Sequence, residues 1–327
     1  MRKIALSVAA LGLAFTPLLF AAPAHAQATR TWVSGVGDDA NPCSRTAPCK
    51  TYAGAISKTA ANGEINCLDP GGFGSVTITK SLSIVCDYTE GGVLANGVFG
   101  FNINAPAGSL ITLKGQDVEC VGTGTNGIQM LGVGVTLHVH KTQIRSCRNS
   151  GGSNGNGILV APSSGTAKVL VADSYITDNG GTISNAGLLI KSTGGASSNV
   201  SVNRVQFEGN TNGIFFDGSG GAGVSNLSVK DSLLGANSTN GIAVSSTGGV
   251  FKALVDSTMI SLNAGVGAAV AGASATLLLG TNTITANGTG VSNTGGTLQS
   301  FKNNQIGTNT SDGTPINPVS SGGLILN

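Results

Sequence analysis

NGILVAPSSGTAKVLVADSYITDN (residues 156–179), NGIFFDGSGGAGVSNLSVKDSLLGAN (212–237) and NGIAVSSTGGVFKALVDSTMISLN (240–263) follow one pattern. Each opens on Asn-Gly-apolar-x-apolar, crosses a Gly/Ser/Thr turn and runs through a second alternating segment. Each then turns again and closes on a short apolar-x-x-Asn. Aligning the closing residue gives Asn179, Asn210, Asn237, Asn263, Asn287 and Asn309, at intervals that fall from 31 to 22 residues. The variation is confined to the turns.

A repeat of this period is a solenoid, in which each unit buries its apolar face only against its neighbours. Three short strands per unit, with two-residue alternation and no helical segment between them, select a β-helix over a leucine-rich repeat or a helical array. The expected fold class is all-β: a right-handed parallel β-helix with a short N-terminal cap helix. On that reading the inward set of the first strand is Ile128, Met130, Ile158, Val160, Leu188, Ile190, Ile214, Phe216, Ile242 and Val244, stacked at about 4.8 Å per coil. The repeated Asn is expected in a turn of positive φ, its amide bonding to the Asn above and below, as structure and not as a site.

Upstream the same grammar is looser. Glu64–Leu68, Ser75–Thr79 and Leu82–Cys86 read as the three strands of a first coil, and Lys50–Ala60 has apolar residues at helical spacing, fit to cap the open end. Residues 1–26 read as a secretory signal: Arg2 and Lys3, an apolar stretch to Phe20, then Ala24-His25-Ala26 as a cleavage site. The layout is therefore a signal over 1–26, a lead-in loop and cap helix over 27–63, and the β-helix over 64–327, its coils running to about residue 309.

The destination expected is secreted: periplasm, cell surface or extracellular space. Cys43, Cys49, Cys67, Cys86, Cys120 and Cys147 follow the signal and are expected to form three disulfides, Cys43 with Cys49 across one short loop and the rest open. Without Arg2 and Lys3, 15 of the 17 basic residues remain against 15 acidic ones, so the mature chain is close to neutral. That balance speaks against nucleic acid or an anionic membrane as partner.

The segment VSGVGDDANPCSRTAPCKTYAGAISKTAANGEI (33–65), followed by GGFGSVTITKSLSIVC (71–86), resembles the first part of bacterial secreted right-handed β-helix proteins of the pectate-lyase-like superfamily. The resemblance implies the fold. The superfamily holds polysaccharide lyases, glycoside hydrolases, pectin esterases, tailspikes, adhesins and many proteins of unknown role, and this chain lacks the sequence segments of the polygalacturonase-like hydrolases and the pectin esterases.

Chemistry is sparse. A hydrolase of this fold needs converging carboxylates, whereas the outward residues of the first strand offer only Asp217 among Gln129, Leu131, Leu159, Ala161, Leu189, Lys191, Phe215, Ala243 and Ser245. A lyase needs a base, often Lys, and commonly Ca²⁺. Lys191 and Asp217 share a slot on successive coils and are the catalytic candidates, although a surface ion pair worth at most about 1 kcal/mol is the favoured reading. Asp38 and Asp39 are candidate Ca²⁺ ligands, against a solvated turn. His138 and His140 lack a third zinc ligand, and Asp173, Asp231 and Asp256 read as turn formers.

No other cofactor is indicated. Outward aromatics are limited to Phe215 and Tyr175, and the stripe Leu159, Leu189, Phe215 is a contact surface or lies beneath a turn. The expected function is a secreted or cell-surface β-helix, a non-catalytic scaffold or a binder of a polysaccharide or surface partner. The alternatives are a lyase or other carbohydrate-active enzyme on uronic-acid polymers, and an oligomeric adhesin or tailspike-like protein.

Overall fold

The computed structural model describes residues 27–149, 154–221 and 223–319. The signal assigned to residues 1–26 lies outside the described residues. Among the described residues the strands form three parallel sheets, one of twelve strands and two of ten. Each coil passes in turn through sheet 1 (for example Thr166–Ala172), sheet 2 (Tyr175–Thr177) and sheet 3 (Ala186–Ile190) before Ser197–Asn203 returns to sheet 1. Crossovers between parallel strands wind right-handed, and the molecule is a right-handed parallel β-helix.

Sheet 3 carries the Asn-Gly-apolar segments. Its inward residues stack in register, Ile158 on Leu188, Ile214 and Ile242, and all four are fully buried. The Gly of each Asn-Gly has a steric cause. A Cβ on Gly213 would lie 2.5 Å from the carbonyl oxygen of Gly241, and one on Gly241 2.6 Å from that of Gly267. Coils approach too closely here for any side chain.

The inner corner between sheets 2 and 3 holds the Asn column. Each Oδ1 accepts from the backbone N and the Nδ2 of the Asn one coil earlier: Asn210 N to Asn237 Oδ1 is 3.0 Å, and Asn237 Nδ2 to Asn263 Oδ1 is 2.8 Å. Each Nδ2 also donates to a carbonyl, as Asn237 does to Phe207 O at 3.3 Å. The amides are thus satisfied in a dry environment, where an unmet donor is costly. The positive φ falls one residue before the position expected: Asp178 (59°), Ala236 (52°), Leu262 (61°) and Ala286 (55°) make the left-handed turn. That displacement frees the Asn side chain to point inward.

A second ladder, absent from the sequence reading, runs along the corner between sheets 1 and 2. Asp173 (52°), Arg204 (53°), Asp231 (49°) and Ser257 (51°) turn the chain, and the next residue stacks on its equivalent. Ser232 N donates to Thr258 Oγ1 at 3.4 Å and Thr258 N to Asn282 Oδ1 at 3.0 Å. Asp173 and Asp231 are the turn residues themselves. Asp256 is instead the last residue of its strand and pairs with Lys230.

The early coils differ from the expectation in three respects. The helix is shorter, Tyr52–Lys58, with Thr51 as N-cap accepting from Gly54 N. Thr59 leaves it because its hydroxyl bonds Thr31 Oγ1 at 2.8 Å across the pairing of strands Ala28–Val33 and Thr59–Cys67. Sheet pairing here overrides the helical preference of Ala60 and Ala61.

Sheet 1 accordingly starts at Ala28 and ends at Asn317–Pro318, beyond residue 309. Leu82–Val85 is not the third strand of the first coil; it stacks in sheet 1 on Gly63–Asn66 and opens the next coil. The missing strand is Gly71–Gly72 in sheet 2, which has no side chains to form a pattern.

The disulfides are Cys43–Cys49, Cys67–Cys86 and Cys120–Cys147. The last two join consecutive coils. Tyr52 enters the core from the helix, its ring 5.2 Å from that of Phe73 and 5.8 Å from that of Phe101. Burial drives its phenol well above the usual range, and the hydroxyl donates to Gln116 Oε1 at 2.7 Å.

Candidate functional site

Lys191 and Asp217 meet as their shared slot requires, Nζ to Oδ2 2.8 Å. Asp217 is far less accessible than a surface pair would be, its side chain only 9% exposed. Burial opposes its ionisation, but the bonds from Lys191 and Ser219 prevail and hold it below the usual carboxylate range. The pair ties two coils of sheet 3 together, with the carboxylate turned into the chain.

Asp39 is likewise engaged. Its oxygens accept from Lys50 N (2.8 Å), Thr51 N (2.9 Å) and Thr51 Oγ1 (2.7 Å), which outweigh its burial and lower its pKa. Asp38 accepts from Ala40 N at 2.9 Å in an exposed turn. His138 and His140 face outward with ring centroids 6.0 Å apart, and burial, then the neighbouring His138, lowers His140. Their register neighbours are Thr112 and Leu170, Lys114 and Ala172. Among the described residues no group of three or more His, Cys, Asp or Glu is disposed to hold a metal ion.

The stripe Leu159, Leu189, Phe215 is not an open contact surface. Leu159 and Leu189 are 5% and 2% exposed and pack with Ala186, Ala161 and Phe215 in a small second core. Conversely Tyr88, which the sequence reading did not count as outward, is fully exposed at a turn with φ 64°.

One accessible groove lies on sheet 1. Register aligns Lys168, Asn199, Asn226 and Lys252 in one outward column and Leu170, Ser201, Ser228 and Leu254 in the next. On the two middle strands these positions carry only short polar side chains, whereas the flanking strands carry a Lys and a Leu each. The trough, about 420 Å³, is lined by Lys168, Leu170, Asn199, Ser201, Asn226 and Ser228 and reaches Thr136 and His138 at one end, with Lys252 on the strand just beyond the other.

Asn226 Nδ2 donates to Asn199 Oδ1 at 3.0 Å across the floor. Lys168 and Lys252 stand about 14 Å apart by strand spacing. Neither forms an ion pair among the described residues. Within the sequence these positions are merely the polar members of TAKVLVA, SSNVSVN, VSNLSVK and VFKALVD. Their convergence depends on register, which the repeat alignment of Asn-Gly did not extend to sheet 1.

Sheet 2 carries the opposite charge. Arg145 is held by Asp117 and by Glu119, the latter at 2.5 Å from Nε, and the Asp117 hydrogen bond raises its pKa. With Glu90 they border a groove of about 490 Å³ beside Gly71, Gly72 and Gly92.

No family model matches the sequence, and no curated protein matches it. Solved structures do match, among them the following three. One is a rhamnogalacturonan lyase at 11% identity and TM-score 0.46, over 83% of this chain and 75% of that one. Another is the GH136 lacto-N-biosidase from Eubacterium ramulus at 10% identity and TM-score 0.46, over 89% and 68%. The pectate lyase Pel9A aligns at TM-score 0.52 and 14% identity, over 89% of this chain and 82% of that one. Identity at that level speaks for architecture alone, and in architecture the chain is a right-handed parallel β-helix like that pectate lyase.

Proposed function

We propose that the chain is a secreted β-helix that binds an acidic polysaccharide across sheet 1, without chemistry of its own. The observation that carries this reading is the pair of unpartnered lysines, Lys168 and Lys252, flanking a floor of Asn199, Ser201, Asn226 and Ser228. Free ammonium groups attract uronate carboxylates, and short amides and hydroxyls supply both donors and acceptors for sugar hydroxyls. The alternative of a lyase working through Lys191 is less well supported, because its partner Asp217 is turned into the chain. Secretion is favoured by three disulfides. Among the described residues no helix is long and apolar enough to cross a membrane.

The test is retardation of the protein in gels containing polygalacturonate, with ultraviolet detection of unsaturated products in parallel. Binding without product is expected, weakened about tenfold when Lys168→Ala and Lys252→Ala are combined, and weakened further by salt. Equal binding by the double variant would remove the trough from consideration, and sustained product formation would overturn the non-catalytic reading.

A further inference from the structure

In the middle of sheet 2, Gln143, Tyr175 and Gln206 form one outward column, in register on three consecutive coils. Tyr175 Oη donates to Glu208 Oε2 at 2.8 Å. Glu208 lies on the next coil and two residues further along the strand, opposite Thr177. A diagonal of that kind spans about 7–8 Å, so the ring must lean across the sheet and cannot stand away from it. The ring is thus held in place against the sheet, part-buried and bordering a cleft. The bond to Glu208 also raises the Tyr175 phenol above its usual range, so the hydroxyl stays a donor.

Around the ring is a cleft of about 500 Å³ whose lining includes Gln143, Gln206, Lys141, Asp173 and Arg204. Its charges pair in part: Arg204 grips Asp173 through Nε at 2.6 Å and a second nitrogen at 3.0 Å, and Lys141 adds to the field at Asp173. A flat, preset aromatic face between two side-chain amides matches the apolar face and equatorial hydroxyls of a sugar ring. An anionic sugar would meet Glu208 and, further along the same face, Asp117 and Glu119.

The geometry points to a second saccharide site on sheet 2, built on Tyr175 with Gln143 and Gln206, that takes an uncharged glycan. It is independent of the trough on sheet 1 and needs no lysine.

The test is isothermal titration with uncharged β-linked hexasaccharides of xylose, glucose and galactose, on the full protein and on variants checked for native circular dichroism. At least one of the three is expected to bind. Tyr175→Ala should lower that affinity at least tenfold and Tyr175→Phe about threefold, because the ring remains but loses its anchor. Lys168→Ala with Lys252→Ala should leave it unchanged, which separates this site from the trough. The inference is overturned if none of the three binds, or if a folded Tyr175→Ala binds as the parent does. It is equally overturned if the lysine variant abolishes binding.

Discussion

Between Cys67 and Cys147 neighbouring coils are joined by sulfur, whereas from Asn179 to Asn309 the inner corner is joined by amides. The two systems meet at one residue: Cys147 bonds Cys120 and donates its backbone N to Asn179 Oδ1 at 3.0 Å, in the manner of an Asn of the column. An amide ladder needs every coil to deliver the same atom to the same place within a few tenths of an ångström. The later coils do this. The early ones, with a Gly71–Gly72 strand and two successive left-handed residues at Val121 and Gly122, do not repeat closely enough. A disulfide asks only that two Cα atoms be one coil apart, and here they are 4.8 Å and 4.7 Å.

The contrast is open to direct attack. The largest effect is expected from Asn237→Ala, which leaves the backbone N–H of Asn210 and one of its two Nδ2–H groups buried with no acceptor, the other Nδ2–H keeping Ile176 O. At about 1–3 kcal/mol for each such donor, the loss should be about 4 kcal/mol. Hydrogen exchange should accelerate in the coils on both sides of residue 237 and leave Cys67–Cys147 as it was. A uniform change over the whole chain would mean that the amide region is not a separate unit.

Next in size is Cys120→Ser combined with Cys147→Ser. Opening a loop closed by a separation of 27 residues should lower stability by about 3.5 kcal/mol. Exchange should then rise in the early coils, with the amide-linked coils still protected. If the coils beyond Asn210 lost protection to the same degree, the handover at Cys147 would be a dependence of one region on the other.

The smallest effect is expected within the amide-linked region, from the pair Lys191–Asp217. Lys191→Ala strands a buried carboxylate, but its own side chain is 33% exposed, so the loss should be only about 1–2 kcal/mol. Because the folded Asp217 has a depressed pKa, its contribution is complete above about pH 4 and is lost as pH falls through that depressed value. Urea unfolding of parent and variant should therefore differ at neutral pH and converge in acid. A constant gap down to pH 2 would show that packing, and not charge, supplies the contribution.

The fold was legible wherever one coil repeats the next. Ile158, Leu188, Ile214 and Ile242 could be assigned inward from alternation alone, and they are. Legibility failed where identity of side chain carried no message. Gly71–Gly72 has no pattern, and Thr59 looks helical until Thr31 is known to pair with it. The hydroxyl ladder through Ser232 and Thr258 is hidden because Ser, Thr, Val and Asn all serve in its column. The trough failed for another reason: Lys168 and Lys252 lie 84 positions apart in the chain, and only the sheet 1 register makes them flank the same two strands. The Lys191–Asp217 contact could be foreseen from the sheet 3 alignment, but the depth of Asp217 could not.

In the later coils two of the three corners are single left-handed residues, mostly followed by a stacked polar one, as at Asp231-Ser232 and Ala236-Asn237. A residue added between a strand and its ladder residue would throw the ladder out of step, whereas the stretch after the ladder Asn does vary, from Thr211 alone to Gly180–Asn185. The third connection, from sheet 3 to sheet 1, is under no such constraint, and its length changes freely between Ile190 and Ser197, Asp217 and Val224, Ser245 and Val250, and Ala271 and Ala275. This connection is thus an editable seam of the solenoid. It borders the strands that form the trough, so new loops grafted there would decorate the rim of the groove while the spine kept its count.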